Sequence, residues 1–382
     1  MRRFAAKFAV PYHFPVVVVR NVFRVGEPAF VDLVRRLEPT RRHRLLVAID
    51  DGLAAAQPSL AADIERYVEA HADALALVAP PVLVPGGEAS KNDPSHAWRL
   101  VELINTHKID RQSVIVAIGG GAALDTISFA AATGHRVIRV PSTVLAQDDS
   151  GIAVKNGINA FGKKNFVGTF APPFGVVIDP ALLETLPLRD RIAGVAEIIK
   201  VALLKDPGLF ASVETLAARI AAGDLAALEA VILPSLEWHL KHICGTGDPF
   251  EFGSARPLGF GHWAAHKLEA LTSHRVRHGE AVAIGMALDV RYSVRAGFLA
   301  AAPADRILSV IRGTGLPTWD AALETRAADG ALAVVAGLQD FREHLGGALH
   351  ITLLKGIGQP FEVTDMRLDL VAQALADLTP VH

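Results

Sequence analysis

Val114-Ile115-Val116-Ala117-Ile118-Gly119-Gly120-Gly121-Ala122-Ala123-Leu124-Asp125 is a β-branched apolar run that ends in three glycines and turns into a helical stretch. Glycines at a strand-to-helix turn let a phosphate approach backbone N–H groups and the N-terminus of the helix. On both sides of this turn the pattern repeats. Strand-like runs at 16–19, 45–49, 82–84, 137–140 and 174–178 alternate with helical stretches such as 58–79 and 95–108. Such alternation predicts an α/β fold, a Rossmann-like parallel sheet covered by helices. After Asp179 the character changes. Long Ala/Leu-rich stretches at 191–204, 207–222, 225–242 and 279–296 read as helices of an α-helical C-terminal domain. The expected division is 1–180 and 181–382, the boundary falling just before Pro187. The apolar run 349–354 fits a strand or a helix edge.

A chain of 382 residues with 51% hydrophobic residues has material for two cores. Net charge is −2, which gives no argument for nucleic acid or an anionic membrane as partner. Cys244 is the single cysteine, so an intrachain disulfide and a thiolate zinc site are excluded. There is no signal-peptide pattern and no apolar run of the ~18 residues that a membrane span needs. A cytoplasmic enzyme is the simplest expectation.

Asp50 and the run Gly87-Glu88-Ala89-Ser90-Lys91 each follow a strand-like segment, as the triple glycine does. Singly, such acids read as solvated loop residues. Three polar turns at consecutive strand ends predict a crevice at the carboxyl edge of the sheet, where a carboxylate can reach a ribose hydroxyl. The triple glycine departs from the G-x-G-x-x-G pattern, so its position rather than its spelling carries the reading.

Glu197, His262 and His278 offer one carboxylate and two imidazoles with a coordination position left open, the ligand set of a catalytic rather than a structural zinc site. The chain has 15 histidines, and a lone one is more often structural. These two sit in glycine-flanked motifs, and Glu197 lies on a separate helical stretch. His266 shares a helix face with His262, four residues away. Lys200 shares a face with Glu197 and punctuates an otherwise apolar helix. Asp148-Asp149-Ser150, Lys155, Asn159, Lys163-Lys164-Asn165 and Lys241 form a polar, mostly basic set that suits a phosphorylated substrate. A nicotinamide site and a Lewis-acid site in one chain suggest redox chemistry at a carbinol carbon.

Taken in order, these motifs resemble the sugar phosphate cyclases of the 3-dehydroquinate synthase superfamily, over most of the chain from Asp50 to Gly358. The likeness runs through Gly119-Gly120-Gly121 with Asp125, Pro141-Ser142-Thr143-Val144-Leu145-Ala146-Gln147-Asp148-Asp149-Ser150, Lys155 to Asn159, Gly162 to Asn165, Glu197 with Lys200, Gly261-His262 with His266, and His278-Gly279-Glu280-Ala281. It implies a dehydroquinate synthase-like fold and a homodimer that uses NAD and Zn²⁺ or Co²⁺. Glu197, His262 and His278 would hold the metal. Asp50, Glu88, Lys91, Gly120, Gly121, Asp125, Thr143, Lys164 and Thr185 would hold NAD. Asp149, Lys155, Asn165, Lys200, Lys241 and His266 would face the substrate, with Arg136 the nearest match to an arginine reaching over from the neighbouring subunit. The implied reaction is transient oxidation, phosphate elimination, re-reduction and intramolecular aldol closure.

Dehydroquinate synthases carry a substrate-carboxylate arginine and an asparagine where this chain has Ala255 and Gly259. The stretches 248–258 and 343–347 look closer to the secondary-metabolic cyclases, of valiolone or ebo-cluster type. Sedoheptulose 7-phosphate, converted to a cyclitol, is therefore the expected substrate class. 3-Dehydroquinate synthase and a metal-dependent polyol or glycerol dehydrogenase are the alternatives.

Overall fold

The computed structural model describes residues 2–132, 134–161, 163–245, 249–250, 258–344 and 349–380. The chain forms two compact units. The first comprises residues 1–141 and 152–179, the second residues 142–151 and 180–382.

In the first unit, strands β1 (Val16–Val18), β2 (His43–Asp50), β3 (Leu75–Leu77), β4 (Val82–Val84), β5 (Val114–Gly119), β6 (Arg136–Pro141) and β9 (Gly175–Ile178) make a seven-stranded parallel sheet. The order is β1-β9-β6-β5-β2-β3, and β4 pairs with β2 beyond β3. β5 is buried along its whole length, and β2 along nearly all of it. Strands covered on both faces in this way read as unbroken apolar runs. β7 (Lys155–Ala160) and β8 (Lys163–Phe170) form a separate antiparallel hairpin. The sequence reading describes these residues as a polar, mostly basic set and places no strand there. Their polar side chains hide the alternation, and the tight pairing shows at Gly157 and Gly168, where a Cβ would come within 3.1 and 3.0 Å of carbonyl oxygens across the hairpin.

One expected helix is corrected. The helix within 58–79 runs only over Leu60–Ala70, and Leu75-Ala76-Leu77 is β3. Pairing with His43–Leu45 of β2 overrides the helix propensity of that Ala/Leu stretch. The run near 349–354 resolves as strand β10 (Ile351–Gly356), paired antiparallel with β11 (Gln359–Val363).

The second unit is mainly helical. Its helix Leu188–Lys205 is buried without interruption from Ala193 to Leu204, as is most of the helix His278–Arg295. Helices apolar on every side belong inside a core. Thr143 caps the short helix Val144–Asp148 by accepting from the Ala146 amide at 3.2 Å. That helix lies against Gly194, where a Cβ would meet the Leu145 nitrogen at 2.6 Å. Among the described residues, no helix is long and apolar enough to cross a membrane.

Candidate active site

Three elements of the second unit meet at one point. Glu197 projects from the middle of the helix Leu188–Lys205, while His262 and His278 are the first residues of the helices His262–Leu271 and His278–Arg295. One ligand atom from each lies within 4.8 Å of the other two. Both imidazole Nε2 atoms stand 3.4 Å from the same carboxylate oxygen, Glu197 Oε1.

The far side of each ring is fixed. His262 Nδ1 lies 3.1 Å from the Phe260 carbonyl oxygen, and His278 Nδ1 lies 3.2 Å from the Glu269 carboxylate. A carbonyl or carboxylate only accepts, so each Nδ1 carries the proton and each Nε2 turns a lone pair toward Glu197. Three acceptors converging on one point repel one another unless a cation sits among them. A histidine whose outer nitrogen donates to a carboxylate or backbone carbonyl is the usual arrangement around a bound metal. The donor set therefore fits a divalent ion of the zinc type.

Charge is arranged closely around this point. Glu197 and Lys200 are both buried and form an ion pair. Burial opposes ionisation of Glu197, but the Lys200 charge beside it outweighs this and holds the carboxyl well below the usual carboxylate range. Burial likewise opposes the Lys200 charge, and Glu197 and Asp149 overcome it. Asp148 is also buried; burial and the neighbouring Asp149 and Glu197 carboxylates push it well above the ordinary range. The helix Leu225–Gly245 tethers this acidic pair: Ser235 Oγ donates to Asp148 at 3.2 Å, and His239 Nε2 lies 3.4 Å from Asp149. His266 is exposed, with its ring 5.5 Å from His262 and 6.2 Å from His278. Lys241 is exposed, 3.6 Å from Glu237 and over the Trp238 ring.

In the first unit, the ends of β2, β4 and β5 come together. Asp50 accepts from the Gly52 and Leu53 amides at 2.9 and 3.1 Å and so starts the helix Asp51–Ala56. Its side chain fits only because two neighbours lack a Cβ: one at Gly119 would lie 2.7 Å from Asp50 Cβ, and one at Gly86 2.7 Å from its Oδ1. Gly120 and Gly121 open the helix Gly121–Ala131, leaving N–H groups at a helix N-terminus free of intrahelical partners. Gly119→Ala is expected to destabilise the protein by about 1–3 kcal/mol through overpacking, read as a lowered Tm, and to weaken NAD binding, read by cofactor fluorescence.

A second polar group lies beside this turn. Lys91 Nζ donates to Asp125 at 2.6 Å and to Asn165. Asn159 donates to Glu88 and Asn92 at 2.5 and 2.7 Å and accepts from the Asn165 amide at 2.9 Å. Lys164 lies 3.9 Å from Glu88. The hairpin β7–β8 is thereby tied to the residues around Glu88. Five expected cofactor or substrate residues, Glu88, Lys91, Asp125, Lys164 and Asn165, thus form one network. Asn165, expected with the substrate set, meets Lys91 of the cofactor set. Lys155 opens β7. Thr185 closes the turn Pro180–Thr185 in the second unit. Arg136 is gripped by Glu38 of its own chain through bonds of 2.6 and 2.7 Å. Ala255 and Arg256, where the carboxylate clamp is altered, lie outside the described residues, as does most of 248–258 and 343–347.

Residues 81–193 match the model of the 3-dehydroquinate synthase N-terminal region, and residues 194–335 that of its C-terminal region. The chain belongs to the 3-dehydroquinate synthase family. It is 36% identical over 344 residues to a 3-dehydroquinate synthase of Cereibacter sphaeroides, covering 88% of this chain and 89% of the relative. It is also 33% identical over 304 residues to a 2-epi-5-epi-valiolone synthase of Streptomyces glaucescens, covering 76% of each. Among solved structures, the 2-epi-5-epi-valiolone synthase of Streptomyces hygroscopicus subsp. jinggangensis, with NAD⁺ and Zn²⁺ bound, superposes with a TM-score of 0.85 at 27% identity, covering 98% of this chain and 99% of the other. The superfamily and the fold expected from the sequence are those found. The curated relatives include both dehydroquinate synthases and a valiolone synthase.

Some residues of the site escaped the sequence reading. Glu269, Ser235 and His239 carried no motif. Lys200 in the helix Leu188–Lys205 stood out because it punctuates an apolar run, and Glu269 in the helix His262–Leu271 offers the same signal more weakly.

Proposed function

We propose that this family member is an NAD- and metal-dependent sugar phosphate cyclase, a carbon–oxygen lyase that converts a heptulose 7-phosphate, sedoheptulose 7-phosphate or a close relative, into a cyclitol with loss of phosphate. The observation that carries the reading is the convergence of two oriented Nε2 atoms on Glu197. When bound, the metal would polarise a carbinol oxygen and NAD would take and return its hydride.

The chain's own residues fill the remaining roles in this reading. Glu197, His262 and His278 hold the metal. Lys200 keeps Glu197 ionised, and Asp149 faces the reacting sugar. His266, exposed beside both histidines, relays protons. Lys155, Asn165 and Lys241 serve the phosphate and hydroxyls. Asp50, Glu88, Lys91, Gly120, Gly121, Asp125, Thr143, Lys164 and Thr185 hold NAD, with Lys91 as the cation that keeps Asp125 and Asn165 in place. Lys200, buried beside the metal triad, is spent on Glu197. The carboxylates of Asp148, Asp149 and Glu269 and the imidazoles of His239 and His266 lie around it. Ala255 and Gly259, where dehydroquinate synthases carry a carboxylate-binding arginine and an asparagine, favour a substrate without that carboxylate. A cytoplasmic homodimer completes the proposal.

The second reading is 3-dehydroquinate synthase, which the 36% identical relative favours. The deciding experiment offers sedoheptulose 7-phosphate and 3-deoxy-D-arabino-heptulosonate 7-phosphate in parallel to the zinc-loaded protein with NAD⁺. Phosphate release and NADH absorbance are followed together. Phosphate from the first alone, without NADH accumulating, is expected. Phosphate from the second alone would replace the proposal by dehydroquinate synthesis, and steady NADH accumulation would replace it by a polyol dehydrogenase.

A further inference from the structure

His262 is the first residue of its helix, so its aim depends on the turn before it. That turn is Gly261, with φ of +78° in the left-handed region, where a side chain is strained. A Cβ at Gly261 would also lie 2.6 Å from the Met286 nitrogen, and one at Gly285 would lie 2.0 Å from the Gly261 carbonyl oxygen. The turn therefore presses backbone to backbone on the helix His278–Arg295.

Asp289, wholly buried on that same helix, grips both neighbours of His262. Its Oδ2 accepts from the Gly261 amide at 2.9 Å and its Oδ1 from the Trp263 indole at 2.8 Å. Among the described residues it has no cationic partner, and burial pushes its carboxyl up to about 7. A buried acid without a counter-charge is costly. Its two bonds, one on each side of a metal-ligating position, give that cost a purpose.

We propose that Asp289 is a positioning residue for His262: it fixes the turn and the first helical residue so that the His262 ring points to Glu197 before any metal arrives. The helix that begins with His278 thus sets the aim of both histidines. This inference rests on the reading of Glu197, His262 and His278 as a metal site.

The test compares wild type, Asp289→Asn and His262→Ala. Zinc affinity is measured by chelator competition, the Co²⁺ d–d absorption spectrum is recorded, and the metal-free proteins are melted. The Asn amide nitrogen cannot accept a hydrogen bond, so one of the two donors is lost with little change of shape. Asp289→Asn is expected to bind zinc about tenfold more weakly, in the range seen for outer partners of metal ligands, and to shift the cobalt spectrum. His262→Ala is expected to lose tight zinc binding. A lowered Tm in Asp289→Asn with unchanged zinc affinity and cobalt spectrum would overturn the proposal, leaving Asp289 a stabilising residue only. Wild-type zinc binding by His262→Ala would instead overturn the metal-site reading and the proposal with it. Hydrogen exchange on the unmutated protein is a test that needs no variant. The Gly261 amide is expected to be protected without metal, and protection appearing only after Zn²⁺ is added would show that the metal, not Asp289, orders the turn.

Discussion

Glu197→Ala is expected to abolish zinc binding and phosphate release and to destabilise the protein by about 3–5 kcal/mol, the range for removing one partner of a buried ion pair. The two effects have different causes. Loss of the metal follows because Glu197 Oε1 is the point on which both Nε2 atoms converge. Loss of stability follows because Lys200 stays behind, only 3% exposed. Asp149 and Asp148 also face Lys200 and keep part of its charge compensated, so the lower end of the range is expected. A denaturant titration of the metal-free protein reads the second effect alone. Glu197→Gln separates them further: it preserves the shape and removes the charge, so zinc binding should fail while packing is kept. If metal-free Glu197→Ala is as stable as wild type, Lys200 is solvated after all, and the account of this pair is wrong.

Gly279→Ala is expected to be the most damaging Gly→Ala change among the described residues. A Cβ there would lie 1.8 Å from the Ala193 carbonyl oxygen and 2.5 Å from its carbon. Both are backbone atoms of a buried helix, so no side chain can swing aside. The helices must part, at a cost at or above the upper end of the usual 1–3 kcal/mol for overpacking. Position makes this more than a stability effect. Gly279 follows His278 directly, and Ala193 lies one helical turn before Glu197. The contact that the methyl group breaks is the one that sets the distance from the His278 ring to the Glu197 carboxylate. Zinc affinity should therefore fall more than tenfold even in the protein that remains folded, as read by chelator competition. Gly279→Ala binding zinc normally would show that the histidine tracks the metal independently of helix packing.

The sequence made the sheet legible because β2 and β5 are covered on both faces, which writes them as apolar runs. The helices Leu188–Lys205 and His278–Arg295 were legible from composition. Glu197, Lys200, His262 and His278 stood out as polar residues in apolar or glycine-rich surroundings. What escaped was whatever depends on one element meeting another. Leu75–Leu77 reads as helix until β2 offers it a partner. The pairs Asp289 with Trp263 and Asp148 with Ser235 join residues far apart in the chain, and neither partner breaks a local rule. Asn165 was placed with the substrate by motif order, whereas its bond to Lys91 depends on the fold of the β7–β8 hairpin, which polar residues concealed.

The ten residues from Ser142 to Gly151 leave the first unit, pack in the second and return. This route has a consequence for birth on the ribosome. The sheet of the first unit can close as soon as β9 has emerged. The Val144–Asp148 turn must then wait, its apolar side bare, for Gly194 and the residues around it to leave the exit tunnel. Chains stalled in translation between these two points would present that side to chaperones. A gene cut after codon 180 would yield a downstream fragment without Asp148 and Asp149, so two separately expressed halves would reassemble only if the first half kept its loop free for the second.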